Sequence, residues 1–125
     1  MKEVVSGSGI PKSSLPFSPA IRAGGFVFLA GQASVDDKGT IVSDTFEGEM
    51  RRSLENVGRI LEAAGLAFAD VVQVRGYVRD PADLPKYNEV YREFFSEPYP
   101  ARTTLTCCLP ETLRFEVEVV AYDPR

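Results

Sequence analysis

A chain of 125 residues, 44% hydrophobic and 26% charged, has the length and balance of a single soluble globular domain with one core, and residues 1–125 are read as that domain. The chain has no histidine, which removes Ser-His-Asp and Cys-His nucleophilic pairs, HExxH zinc sites and imidazole acid–base chemistry. A net charge of −4 argues against a broad nucleic-acid-binding surface, since such affinity comes largely from clustered Lys and Arg.

The opening stretch MKEVVSGSGIPKSS lacks the apolar core of a secretion signal, and no apolar run approaches the ~20 residues that span a bilayer. A cytoplasmic protein off the membrane is expected. Lys2–Val5 reads as a short strand, followed by a loop over Ser6–Pro19 rich in Gly and Pro. The Gly-Ser-Gly in this loop is not followed by GKS or GKT, so it carries no phosphate-cradle signal. Phe17, apolar on a loop, reads as a core plug.

Ala20–Arg22 and Phe26–Ala30 read as strands around an Ala23-Gly24-Gly25 turn. The run FVFLAG is apolar throughout, which predicts a central strand buried on both faces. Gly31 ends it and permits close approach of a backbone or a ligand. Asp36-Asp37-Lys38-Gly39 is a turn, with a strand stub at Thr40–Val42. A helix is predicted from Thr45 to Ala64, with Asp44 as N-cap, Glu47 three residues on and Gly65 as its stop. Phe46, Met50, Leu54, Val57, Leu61 and Ala64 form its apolar stripe, and the Arg and Glu residues between them read as a solvated face.

Val71–Arg79 is predicted as a strand with Val72, Val74 and Val78 alternating against Gln73, Arg75, Tyr77 and Arg79. A second helix starts near Asp83 with Pro85 in its first turn. Leu84, Tyr87, Tyr91, Phe94 and Phe95 make its buried side, and Asn88 lies off that stripe. Two closing strands follow a Pro98/Pro100 break, Thr103–Cys108 and Phe115–Tyr122, joined by a Pro-containing turn. Cys107 and Cys108 are neighbours on the first of these, so a disulfide between them would be strained. They read as reduced, semi-buried packing residues. On the last strand Phe115, Val117, Val119 and Ala121 share one face, with Glu116 and Glu118 on the other.

The order β-β-β-α-β-α-β-β predicts an α+β fold, a mixed sheet with both helices on one face. Two helices leave the other sheet face to water or a partner chain. Arg102 stands at the mouth of a strand, and Glu116 sits close by in sequence. Such a pair suits a small carboxylate-bearing molecule, although from the residues alone a structural ion pair is the simpler reading of Arg102.

The segments Leu29-Ala30-Gly31-Gln32, Glu62-Ala63-Ala64-Gly65, Tyr87-Asn88-Glu89-Val90-Tyr91 before Phe94-Phe95, Tyr99-Pro100-Ala101-Arg102, Leu109-Pro110 and Phe115-Glu116-Val117-Glu118 come in an order and spacing that resembles the RidA family, also called YjgF/YER057c/UK114. The resemblance runs along nearly the whole chain. It implies a Bacillus chorismate mutase-like fold and a homotrimer with three clefts between subunits. It implies an enamine/imine deaminase that hydrolyses 2-aminoacrylate-type enamines and 2-imino acids to 2-keto acids and ammonia, with no metal or organic cofactor. It makes Arg102 the carboxylate anchor and Glu116 the group that positions or activates water, with Gly31, Asn88, Thr104 and Phe17 around the ligand.

The chain departs from that pattern in four places. Phe17 replaces a tyrosine, Thr104 a cysteine and Ala30 a serine, and the turn before Leu109-Pro110 is one residue shorter. Two other readings remain: a non-catalytic small-carboxylate binder using the same cleft, and a ribonuclease or translation inhibitor, against which the acidic balance and absent histidine weigh.

Overall fold

The computed structural model describes residues 1–125. The strands are β1 (Glu3–Val4), β2 (Ala20–Ala23), β3 (Phe26–Leu29), β4 (Gln32–Ala33), β5 (Val71–Val78), β6 (Ala101–Thr106) and β7 (Phe115–Tyr122). Helix α1 (Phe46–Ala63) lies between β4 and β5, and α2 (Leu84–Phe94) between β5 and β6. All seven strands form one sheet in the order β1-β2-β3-β7-β5-β6, with β4 pairing with β7 off that path. Only β5 and β6 are parallel, and α2 makes the crossover that a parallel pair requires. The two closing strands are therefore not a hairpin: β5 lies between them.

Both helices lie on one face, as the element order predicts. Phe46 of α1 and Tyr87 of α2 each pack against Phe115 of β7, with ring centroids 5.9 and 6.0 Å apart. The whole predicted stripe of α1 is buried, together with Ile60. Each of these side chains except the small Ala64 contributes about 1.5–3 kcal/mol relative to exposure. The helix begins one residue later than predicted, because Thr45 rather than Asp44 caps it: the Thr45 hydroxyl accepts from the Gly48 N–H at 3.2 Å. At its far end Gly65 takes φ +77°, and the Gly65 and Leu66 N–H groups donate back to Glu62 and Leu61 in a Schellman closure.

Three expectations fail here, each for a physical reason. Glu49 does not belong to a solvated face; it is fully buried, and its carboxylate accepts from the backbone N–H of Arg114 at 2.9 Å, from Arg114 Nη1 at 3.1 Å and from the Asp44 N–H at 3.2 Å. Strand β3 is not buried on both faces: Val27 and Leu29 are, but Phe26 and Phe28 remain 41% and 46% exposed because no helix covers their side of the sheet. In β5, Val72 is exposed and Val71 buried. A bulge between Val71 and Gln73 sets two steps of β5 against one of β7 and turns Val72 outward.

The cysteines differ as well. Strand β6 ends at Thr106, Cys107 has φ +63°, and both thiols are free and exposed rather than semi-buried. No cluster of three or more Cys, Asp or Glu side chains is placed to hold a metal ion. No helix is long and apolar enough to cross a membrane.

Candidate functional site

Strand β6 is an edge strand, and its register with β5 places Arg102 opposite Val74 and Thr104 opposite Gly76. Val74 is buried under the helices, so Arg102 rises on the helix-covered face at the sheet's margin. There its guanidinium carbon lies 4.8 Å from the centre of the Tyr87 ring and 4.7 Å from that of Tyr91. Both rings come from α2, where a 4-residue step puts them on one side. An exposed guanidinium over aromatic faces is held by cation–π attraction of about 0.5–1 kcal/mol. Burial pushes both phenols up, Tyr91 to about 12, so both rings stay neutral beneath the cation.

Gly76 makes this support possible. A Cβ there would run into the Tyr87 hydroxyl and ring, so only glycine lets Tyr87 lie against the sheet. The Tyr87 hydroxyl is then 2.9 Å from the Thr104 hydroxyl, which locks the ring that carries Arg102. Arg102 makes no ion pair within the chain. Its side chain lines a cavity of about 220 Å3 together with Asn88, Tyr91, Arg92, Tyr99 and Pro100.

Glu116 lies elsewhere. Its register partners Tyr77 and Ala33 put it on the uncovered face of the sheet, beside Glu118. Burial raises the Glu116 carboxyl above its ordinary value, and the neighbouring Glu118 charge pushes the same way. Glu118 itself is engaged, accepting from the Tyr77 hydroxyl at 2.5 Å and pairing with Arg75 at 3.2 Å. Glu116 has no hydrogen-bond partner in the chain and packs against Gly31, where a Cβ would collide with its carboxylate. Gly31 and Gln32 line a second cavity of about 400 Å3 together with Phe17. Phe17 is 53% exposed and is not a core plug.

The six residues singled out from sequence thus fall into two groups within one protomer. Arg102, Asn88 and Thr104 stand at the β6–α2 margin; Phe17, Gly31 and Glu116 stand on or beside the uncovered face. The sheet separates them, so Arg102 and Glu116 do not meet in one chain. Sequence reasoning missed Gly76, Arg92 and Tyr99, and assigned Tyr87 and Tyr91 to packing alone. A glycine inside a strand facing an aromatic helix was the available signal for the first.

Fold and site define the class: a single α+β sheet protein carrying an unpaired, ring-supported arginine and, on the other sheet face, an unpaired, partly desolvated glutamate. The family model described as Endoribonuclease L-PSP matches residues 8–123. A RutC family protein of Pyrococcus horikoshii is 44% identical over 124 residues, covering 98% of each chain. The 2-iminobutanoate/2-iminopropanoate deaminase of Salmonella typhimurium is 33% identical over 125 residues, covering 97% of this chain and 98% of its own. The crystal structure of a putative endoribonuclease from Thermotoga maritima superimposes with a TM-score of 0.91 at 34% identity over the full length of both chains. The chain belongs to the RidA family, the Endoribonuclease L-PSP family of that model, among whose members are proteins named as imine deaminases.

Proposed function

We propose that this protein is an enamine/imine deaminase acting on small 2-imino and 2-enamino acids of the 2-aminoacrylate type, in clefts between the subunits of a homotrimer. The observation that carries the reading is the pair of unpartnered, oppositely charged side chains on separate faces of one sheet. A second copy, docking its Arg102 margin beside this copy's Glu116, unites them. The exposed Phe26, Phe28, Val72 and Tyr122 on the uncovered face suit such an association.

In that cleft the planar Arg102 fork grips the substrate carboxylate through two parallel N–H donors, a geometry lysine lacks. Arg102 is pre-positioned by Tyr87 and Tyr91, so little ordering is lost when substrate binds. The imine carbon is already electrophilic and needs only a placed water and a proton acceptor. Glu116, with its raised carboxyl, sits nearer the working pH than an ordinary glutamate and accepts a proton from the attacking water. Addition of water to C=N gives a carbinolamine; its C–N bond breaks, ammonia leaves with both water protons on nitrogen, and a 2-keto acid remains. No step calls for a metal or organic cofactor.

A coupled assay tests this: 2-aminoacrylate is generated by a dehydratase and 2-keto acid release is followed. Wild type accelerates release and Arg102→Ala abolishes the acceleration. Equal rates for wild type, Arg102→Ala and buffer would leave only a carboxylate-binding role, and a monomeric mass by light scattering at micromolar concentration would remove the shared cleft. Net charge −4 and the absence of histidine weigh against RNA cleavage.

A further inference from the structure

The cavity beside Arg102 holds a second guanidinium and no carboxylate. Arg92, in the last turn of α2, lines it with Arg102, and the other lining residues are Asn88, Tyr91, Tyr99 and Pro100. In an acidic chain this pairing is unusual, because the other arginines are mostly neutralised. Arg22, Arg51, Arg52, Arg75, Arg114 and Arg125 all sit in ion pairs. Of the four that do not, Arg79 is bonded to the Glu111 carbonyl and Arg59 to the Asn56 amide oxygen. Arg92 and Arg102 are the other two, and they share one cavity.

The carboxylates of α2 that could have quenched Arg92 are engaged elsewhere. Glu93 takes Arg51 at 2.6 Å and Glu89 takes Lys86 at 3.3 Å. The one hydrogen bond of the Arg92 side chain is a long one, from Nη1 to the Asn88 carbonyl at 3.3 Å. A cation in a last turn also complements the helix dipole. That accounts for a basic residue at this point of α2, but not for an anion-free cavity with a second cation in its wall. The Asn88 amide, also in that wall, makes no hydrogen bond within the chain. The volume, about 220 Å3, is more than ten times the ~15 Å3 a single water needs.

We infer that this cavity selects substrates with two carboxylates, a 2-imino dicarboxylic acid of four or five carbons, with Arg102 on the carboxylate beside the imine carbon and Arg92 on the distal one. The inference rests on the reading of Arg102 as the carboxylate anchor and adds Arg92 as the specificity residue. The chemistry is unchanged: water adds across C=N, the C–N bond breaks, and ammonia and a 2-oxo dicarboxylate leave. The reaction that supplies such a substrate must either oxidise the α-carbon of an acidic amino acid, with an electron acceptor taking the two electrons, or remove water across the Cα–Cβ bond of a 3-hydroxylated acidic amino acid.

The test compares 2-iminosuccinate, made by oxidising aspartate, with 2-iminopropanoate, made by oxidising alanine. Wild type favours the dicarboxylic imine in kcat/KM. Arg92→Gln lowers the ratio of the two kcat/KM values by about tenfold to a hundredfold, the worth of one charge-assisted hydrogen bond, and Arg92→Lys restores part of it. A wild-type ratio of one or less, or a ratio that Arg92→Gln leaves unchanged, overturns the inference. Should neither imine be accelerated, the deaminase reading fails separately, and calorimetry decides the cavity's preference. Oxaloacetate then binds wild type more tightly than pyruvate, and Arg92→Gln abolishes the difference; equal affinities in wild type overturn the proposal.

Discussion

Gly31→Ala separates the proposed chemistry from the stability of the fold. A Cβ at Gly31 would meet the tip of the Glu116 side chain first, and the three nearest atoms to it all belong to that side chain. The tip of a glutamate can swing aside, so the backbone need not move. The stability effect therefore falls at or below the low end of the ~1–3 kcal/mol typical of overpacking. The carboxylate, however, must move by about an ångström to clear the new Cβ. Displacements of that size cost about 10²-fold when the group must meet a reacting atom, and a positioned general base contributes about 10²–10⁴-fold.

Gly31→Ala is thus expected to lose about 10²-fold in kcat against 2-aminoacrylate, with a thermal midpoint within a few degrees of wild type. Glu116→Gln is expected to lose a similar factor. Because both changes act through one carboxylate, the double variant should be no slower than Glu116→Gln alone, whereas independent effects would multiply. Kinetics of the three variants, with thermal melts as control, measure this. A fully active Gly31→Ala beside an inactive Glu116→Gln would refute the reasoning, as would losses that multiply in the double variant.

Other expectations follow from the same geometry. The raised Glu116 carboxyl predicts that kcat/KM falls as pH drops through a value above that of an ordinary glutamate, as the base becomes protonated; a pH–rate profile should lose this acid limb in Glu116→Gln. Glu49→Gln leaves the half-exposed Arg114 facing an amide in place of a buried carboxylate and should cost about 1–3 kcal/mol in denaturant unfolding, the worth of a charge-assisted hydrogen bond. Asp123 is held well below the usual carboxylate range by hydrogen bonds from Arg125 and then Arg22. Its stabilisation is complete above the unfolded-state value near ~3.9 and is lost as pH falls through the depressed folded value, so the melting gap between wild type and Asp123→Asn should be full above about pH 4 and close in stronger acid. Phe28→Glu, placing a charge on the uncovered face, should lower the solution mass from that of the proposed trimer towards monomer, read by light scattering.

Much of the architecture was legible because it is written in local pattern. The 4-4-3-4-3 spacing of Phe46 to Ala64 gave α1, and strict alternation from Phe115 to Tyr122 gave β7 with its buried and open faces. Gly65 marked a left-handed stop that only glycine takes without strain, and Pro85 marked the first turn of α2. Arg102 and Glu116 could be singled out by type and by family resemblance. Partnership between distant residues has no such signature. Glu49 looked solvated because nothing in its neighbourhood announces Arg114, 65 positions away. The bulge that turns Val72 outward arises only once β5 must match β7.

What the sequence by itself determined is therefore the element order, the faces of helices and strands, and the family, since each rests on spacing along the chain. Only the tertiary structure decided that Arg102 stands on two tyrosine rings over Gly76, that Arg92 shares its cavity, and that Glu116 lies across the sheet. Strand order and register set those relations, and β5 slips between β6 and β7 where chain order would have joined them.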